Sequence, residues 1–128
     1  MRALLDTHVF LWWATDDPQL SPKAKDLIRD PNNELWFSMV SVWEILLKAR
    51  SRRLPIQGDV SDFVEVRIRR YALTLLELQF SHLARFYHLP AHHRDPFDHL
   101  LIAQAQVEGI PLISGDSQMT KYAIEVIW

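Results

Sequence analysis

The sequence contains no cysteine, only three glycines and no long apolar segment. Without cysteine, neither a disulfide scaffold nor a thiolate zinc site can form, so a reducing cytosol is permitted. Three glycines provide few of the sharp turns that a small all-β fold needs. No stretch approaches the roughly 20 apolar residues of a membrane helix, and Asp6 follows too early for a secretory signal. We therefore expect a cytoplasmic protein without a membrane association.

The remaining composition is that of an ordinary globular protein. The chain has 128 residues, of which 48% are hydrophobic and 23% are charged, and this predicts a single domain over residues 1–128. Fourteen basic and sixteen acidic residues give a net charge of −2. Taken alone, that balance argues against a nucleic-acid partner, because nucleic-acid-binding surfaces are normally basic.

Short apolar runs alternate with helical patterns along the chain. Runs that are apolar on both faces are typical of parallel strands covered by helices. We predict strands at 3–5, 35–37, 73–76, 112–114 and 125–128. Helical periodicity, with capping residues, predicts helices at 21–29, 40–50, 60–71, 81–87 and 96–108. Strands that alternate with helices predict an α/β domain built on a parallel sheet.

Four acidic residues fall at one edge of this predicted sheet. Asp6 comes directly after the predicted strand at 3–5, and Asp116 comes two positions after the end of the predicted strand at 112–114. A helix that connects parallel strands begins at the carboxyl edge of the sheet. Asp98 lies in the first turn of its predicted helix and Glu44 about one turn into another, so both reach the same edge. Open α/β sheets bind their ligands at this edge.

Four carboxylates in one small site need a counter-charge. Carboxylates in contact either share a proton or bind a cation. Sites with only oxygen ligands suit hard ions such as Mg²⁺ or Mn²⁺, which also contact substrate phosphates. The pattern therefore favours metal-assisted hydrolysis of a phosphate ester, in which the ion activates water and polarises the phosphoryl group.

Each of these acids also has a purely structural interpretation. Asp6 could cap the helix that follows it, and Asp116 could be an ordinary turn residue. Glu44 and Lys48 have the i,i+4 spacing of a solvated surface pair. However, Glu44 lies in an otherwise apolar segment, where a carboxylate needs a partner. The joint placement of the acids favours the functional interpretation.

Asp95 is a fifth acidic candidate, with Pro96 after it and Asp98 three positions along. This is the N-cap and first-turn arrangement that the helix dipole favours. The cap explains Asp95 well but explains Asp98 less fully, because a first-turn acid adds little to a satisfied cap. The sequence therefore leaves three roles for Asp95: a metal ligand, a residue that supports a ligand, or a helix cap.

Four segments of the sequence resemble the motifs of PIN-domain ribonucleases, and in particular those of VapC-type toxins of prokaryotic toxin–antitoxin pairs. The third segment is the most specific of them. The segments are LLDT at 4–7, SVWE at 41–44, DPFDHLLIAQA at 95–105 and LISGD at 112–116. They occur in the family's order and span essentially the whole chain.

The resemblance implies a three-layer α/β/α sandwich around a mainly parallel sheet. It implies endonucleolytic cleavage of RNA that depends on Mg²⁺ or Mn²⁺, an antitoxin that covers the site, and a homodimer. It places the catalytic, metal-binding acids of the family on Asp6, Glu44, Asp98 and Asp116. Thr7 and Ser114 match positions near the site where the family often has a small residue with a hydroxyl group.

Basic residues concentrate between positions 48 and 70, where seven of the fourteen lie with three acids. This segment could track an RNA backbone, or it could form ordinary solvated helix faces. Two divalent ions on the four predicted acids would turn the net charge positive. The mean charge is therefore a poor guide to the partner.

Two further clusters are open to interpretation. Four histidines precede and enter the helix that carries Asp98, with no familiar zinc spacing, and we interpret them as surface or RNA-facing groups. They are His88, His92, His93 and His99. The segment 9–14 is apolar around the whole predicted helix, which favours a contact with a second copy or an antitoxin.

Two other functions compete with the ribonuclease. A phosphatase or a similar phosphoryl-transfer enzyme is disfavoured because no acid stands two residues after Asp6. A receiver-like or purely binding module is disfavoured because adjacent acids do not follow the first strand.

Overall fold

Five short strands alternate with six helices in a computed structural model that describes the whole chain, residues 1–128. The strands are β1 (Arg2–Leu5), β2 (Glu34–Ser38), β3 (Thr74–Leu76), β4 (Leu112–Ile113) and β5 (Val126–Ile127). The helices are α1 (Thr7–Ala14), α2 (Pro22–Arg29), α3 (Met39–Arg50), α4 (Val60–Arg70), α5 (Phe80–His88) and α6 (Pro96–Glu108). A 3₁₀ turn at Ser117–Lys121 joins β4 to β5. The elements agree closely with those that the sequence predicts.

All strands belong to one parallel sheet with the order β3-β2-β1-β4-β5. In the register, Leu4 of β1 stands opposite Trp36 of β2 and Leu112 of β4. The chain steps outward from β1 through β2 and β3, then crosses to the other side of β1 for β4. The strand order therefore reverses beside β1, and this reversal opens a crevice at the carboxyl ends of β1 and β4.

Two apolar cores lie on opposite faces of the sheet. Alternate residues of β1 point in opposite directions, so Leu5 packs in one core and Leu4 in the other. The first core takes residues of α1, α2, α3 and α4, including Phe10. The second takes residues of α6 and the 3₁₀ turn, including Leu101 and Met119. Helices thus cover both faces, which confirms the three-layer α/β/α architecture.

Local capping chemistry sets the ends of the helices. The Ser21 hydroxyl accepts a hydrogen bond from the Ala24 amide at 3.1 Å, and Pro22 occupies the first position of α2. Helix α6 ends at Gly109, whose φ of +65° lies in the left-handed region that glycine adopts without strain. These ends were predictable because capping depends on neighbours in the sequence.

Helix α1 packs its aromatic residues mainly against the protein's own core. Phe10 is fully buried, while Trp12 and Trp13 are half-buried against the first core. The most exposed large apolar side chains lie on α5 instead: Phe80 at 84% and Tyr87 at 80% exposure. The predicted role of α1 in a partner contact therefore remains a prediction. None of the helices combines the length and the apolar character needed to cross a membrane.

Candidate active site

The four predicted carboxylates lie around the crevice at the carboxyl edge of the sheet. Asp6 follows β1 directly, and Asp116 follows β4 and precedes the 3₁₀ turn. Glu44 is in the second turn of α3, and Asp98 is in the first turn of α6. Asp6, Glu44 and Asp98 are buried, with 3%, 2% and 9% of their surface exposed. Buried acids this close together oppose one another's ionisation.

Asp6 is held by the neighbouring strand β4. Its amide donates to the Ile113 carbonyl at 3.0 Å, and its Oδ2 accepts a hydrogen bond from the Ser114 hydroxyl at 2.6 Å. Its Oδ1 is buried without a hydrogen-bond partner, and its side chain makes no cap for α1. Burial raises the pKa of Asp6 in spite of the opposing hydrogen bond from Ser114. The side chain is therefore not explained as a helix cap, and one oxygen is left for a ligand.

Glu44 has a partner for each carboxylate oxygen. The Thr7 hydroxyl donates to Oε1 at 2.8 Å, and a second hydroxyl, that of Ser41, lies 2.8 Å from that of Thr7. The Lys48 ammonium donates to Oε2 at 2.5 Å. The i,i+4 pair predicted from the spacing is therefore formed, but it is not a solvated surface pair, because the Glu44 side chain is only 3% exposed. Lys48 supplies the counter-charge that a buried carboxylate needs.

Asp98 carries the strongest sign that the acids share one site. Burial and the nearby charges of the other acids raise the pKa of Asp98 to about 8. The charges that act on it are those of Asp95, Asp6, Glu44 and Asp116. A carboxyl group with this pKa holds a proton at neutral pH unless a cation replaces it.

Asp95 and Asp116 both cap the elements that follow them. The Asp95 Oδ1 accepts from the amides of Phe97 at 2.9 Å and Asp98 at 3.3 Å. The Asp116 Oδ1 accepts from the Gln118 amide at 2.9 Å. The structural interpretations of both residues are therefore confirmed. In each carboxylate, Oδ2 takes no part in a hydrogen bond within the protein.

The donor set suits a hard divalent cation. No group of three or more His, Cys, Asp or Glu side chains is arranged to enclose a metal ion. The acids of the site nevertheless offer carboxylate oxygens toward the crevice, and Asp6 Oδ1 is an orphaned buried acceptor. Mg²⁺ retains several waters and takes one or two protein carboxylates directly, so it does not need a closed protein cage. The residues therefore fit such an ion.

Sequence reasoning missed the contribution of the histidine cluster. His93 Nε2 lies 3.1 Å from Asp98 Oδ2, and His93 Nδ1 lies 2.8 Å from the Tyr122 hydroxyl. His88 and His92 are exposed, as expected for surface groups, whereas His93 and His99 are half-buried; an RNA-facing role for these histidines stays a prediction. No local pattern indicates this arrangement, because Tyr122 is 29 positions from His93.

A cavity with basic walls opens beside Glu44. Besides Glu44 itself, Lys48 and Arg53 line it together with the exposed His8. Other basic residues of the 48–70 segment are engaged elsewhere: Arg67 stacks 3.6 Å from the Phe63 ring centre, and Arg69 pairs with Glu65. The positive charge next to the site therefore comes from only part of that segment.

Comparison with known proteins identifies the family of the chain. The PIN domain family matches residues 3–125, so the chain belongs to the PIN domain family. The predicted family is thus confirmed. A search of curated proteins found no match.

Several solved structures share the fold over nearly their whole length. The structure of VapBC2 from Rickettsia felis bound to a promoter DNA fragment has a TM-score of 0.75 and 13% identity, covering 100% of this chain and 99% of that chain. FitAcB from Neisseria gonorrhoeae and a toxin–antitoxin complex from Klebsiella pneumoniae each have a TM-score of 0.67 and 16% identity, covering 98% of this chain and 96% of theirs. At these identities the likeness concerns the fold.

Proposed function

We propose that this protein is a metal-dependent endoribonuclease, the VapC-type toxin of a toxin–antitoxin pair, and that Asp6, Glu44, Asp98 and Asp116 are its catalytic and metal-binding residues. The observation that carries the proposal is the meeting of these carboxylates in one crevice, where burial together with the charges of the other acids raises the pKa of Asp98 to about 8. Without a ligand, the repulsion among these carboxylates would only destabilise the fold. Membership of the PIN domain family supports a nuclease.

The residues present would hold Mg²⁺ or Mn²⁺, which supplies a polarised phosphoryl group and a water of lowered pKa. The chain's own groups prepare this site. Ser114 orients Asp6 so that Oδ1 stays free, and Thr7 orients Glu44 through Oε1. Asp98 would hold the ion in its ionised form. No protein nucleophile is required, which is consistent with a chain without cysteine.

Lys48 and Arg53 provide a path for the RNA backbone toward the carboxylates. Both line the cavity beside Glu44. The Lys48 ammonium, which pairs with Glu44, would be available to neutralise a substrate phosphate if a bound cation compensated the charge of Glu44. This arrangement explains how an acidic site can bind a polyanion.

The biological setting we propose is a cytoplasmic, single-domain toxin that forms a homodimer and is held inactive by an antitoxin. Solved structures with the same fold include a toxin–antitoxin complex, that of Klebsiella pneumoniae. The exposed aromatic residues of α5, Phe80 and Tyr87, offer apolar surface for a protein partner.

Cleavage of a defined RNA by the purified protein tests the proposal. We expect cleavage with Mn²⁺ or Mg²⁺, none with EDTA, and a loss of at least about 100-fold in Asp6→Asn, because the electrostatic stabilisation at such a site is worth several kcal/mol. Asp26→Asn changes an exposed acid of α2 and is the matched control. Cleavage in EDTA, or full activity in Asp6→Asn, would refute the assignment. Hydrolysis of a small phosphate monoester without RNA cleavage would support a phosphatase instead.

A further inference from the structure

A continuous chain of hydrogen bonds leads from the loop before α6 to Asp98. The His92 amide donates to the Tyr122 hydroxyl oxygen at 3.1 Å. That hydroxyl lies 2.8 Å from His93 Nδ1. His93 Nε2 in turn lies 3.1 Å from Asp98 Oδ2. These three contacts join a backbone amide to a carboxylate of the proposed site.

The two ends of this chain determine where its protons lie. A backbone N–H can only donate, so the Tyr122 oxygen is the acceptor at one end. Its own proton then points to His93 Nδ1, which must be the unprotonated ring nitrogen. An ionised Asp98 can only accept, so His93 Nε2 carries the proton at the other end. In the reverse arrangement the Tyr122 proton would have no acceptor among the hydrogen bonds of the structure.

The surrounding packing keeps this arrangement in place. Tyr122 is 95% buried in the second core, with 5% of its surface exposed. The ring of His93 meets that of His99 nearly edge to face, with centroids 4.8 Å apart. Neither Tyr122 nor His93 can therefore turn away easily. The same contacts link α6, which carries Asp98, to the turn that follows Asp116.

We propose that His93 is a positioning residue of the site: Tyr122 holds its imidazole as the Nε2–H tautomer, and that N–H occupies Asp98 Oδ2, which leaves Oδ1 as the oxygen that would hold the cation. The inference rests on the proposed function, because it assigns a role toward the metal. Supporting groups that orient a ligand in this way typically change metal affinity by about 10- to 100-fold when they are removed. The tautomer itself can be measured without metal or RNA.

Nitrogen NMR of the histidine rings tests the hydrogen-bond chain directly. Spectra are recorded on the metal-free protein at alkaline pH and on the Mg²⁺-saturated protein, so that Asp98 is ionised in both. We expect His93 to carry its proton on Nε2 in both states. In Tyr122→Phe, which keeps the ring and removes the hydroxyl, we expect a mixture of the two tautomers. A proton on Nδ1 in the wild-type protein would overturn the proposal.

Calorimetric titration with Mg²⁺ alone, without RNA, tests the positioning role. We expect Mg²⁺ to bind about 10-fold more weakly in Tyr122→Phe and about 10- to 100-fold more weakly in His93→Leu. His93→Gln should recover most of the affinity, because its amide N–H can replace Nε2–H, whereas a purely structural role would not distinguish glutamine from leucine. His92→Ala, which removes an exposed ring and keeps the backbone N–H, is the control.

The two hypotheses fail in different ways. Unchanged Mg²⁺ affinity in Tyr122→Phe and His93→Leu, or no difference between His93→Gln and His93→Leu, would refute the positioning role. A wild-type protein that binds Mg²⁺ with the expected tautomer, but does not cleave RNA, would contradict the proposed function and leave the positioning role intact. A wild-type protein that binds no Mg²⁺ would refute both.

Discussion

Substitution of Asp98 by asparagine should stabilise the metal-free protein while it abolishes metal binding. Asparagine keeps the shape of the side chain and an oxygen that can accept the hydrogen bond from His93. It removes a charge that the other acids oppose. A site carboxylate that destabilises its own fold is a sign that the carboxylates were brought together to bind a ligand.

The expected magnitude follows from the pKa of Asp98. The rise from 3.8 to about 8 corresponds, at about 1.4 kcal/mol per pH unit, to at most about 6 kcal/mol. The side chain is 13% exposed, so water screens part of the repulsion, and we take about half of that value. Asparagine loses the interaction of the charge with the N-terminus of α6, about 0.5 kcal/mol. The net gain in the free energy of unfolding is about 2.5 kcal/mol above pH 8.

The gain should depend on pH with a definite sign. Between pH 3.8 and about 8 the folded protein binds a proton that the unfolded chain has released. The stability of the wild-type protein that depends on Asp98 is therefore fully present below about pH 4 and is lost as the pH rises toward 8. Asp98→Asn does not lose this stability. The difference in the free energy of unfolding between the variant and the wild type should therefore grow from pH 5 to pH 8 and then level off.

Urea unfolding in EDTA at about pH 5, 7 and 9 measures these differences. Asp26→Asn is the control, because Asp26 is an exposed acid of α2 that takes part in no ion pair. We expect Mg²⁺ to raise the unfolding free energy of the wild-type protein but not that of Asp98→Asn. The reasoning is refuted if Asp98→Asn is less stable than the wild type at pH 9 in EDTA.

Two further predictions concern RNA binding and the buried polar network. Charge reversal at both Arg52 and Arg53 should weaken RNA binding in EDTA and flatten its salt dependence, as measured by fluorescence anisotropy, because Arg53 lines the basic cavity. Lys23→Glu on the exposed side of α2 is the control, and unchanged affinity and salt slope in the double variant would exclude the proposed path. Gln104→Leu should lower the unfolding free energy by about 2 kcal/mol, because the buried Ser38 hydroxyl, 2.5 Å from Gln104 Oε1, loses its acceptor. Gln106→Leu on the half-buried side of the same helix is the comparison, and equal stabilities of the two variants in urea would show that the network contributes little.

Local sequence patterns predicted most of the secondary structure and the ends of several helices. The apolar runs, the caps at Ser21 and Asp95 and the left-handed Gly109 are decided by neighbours along the chain. The alternation of strands and helices was enough to place Asp6 and Asp98 at the carboxyl edge of the sheet, because in a parallel sheet the strands end and the connecting helices begin at that edge. None of this needed knowledge of which strands are neighbours.

The partners of the site residues could not be predicted in this way. Ser114 is 108 positions from Asp6, whose Oδ2 it holds, and Gln104 is 66 positions from Ser38. Such contacts depend on the strand order that places β4 next to β1. The contact of His93 with Tyr122 could not be predicted for the same reason, since the two residues are 29 positions apart.

The sequence by itself thus determined the elements, their ends and the meeting of four acids at one edge of the sheet. These properties arise from periodicity and capping, which act over a few residues. Only the tertiary structure decided which oxygens stay free: Asp6 keeps Oδ1 without a partner, while both oxygens of Glu44 are occupied by Thr7 and Lys48. The physical reason is that hydrogen bonding and burial at the site depend on distances between distant segments, and the order of the sheet sets those distances.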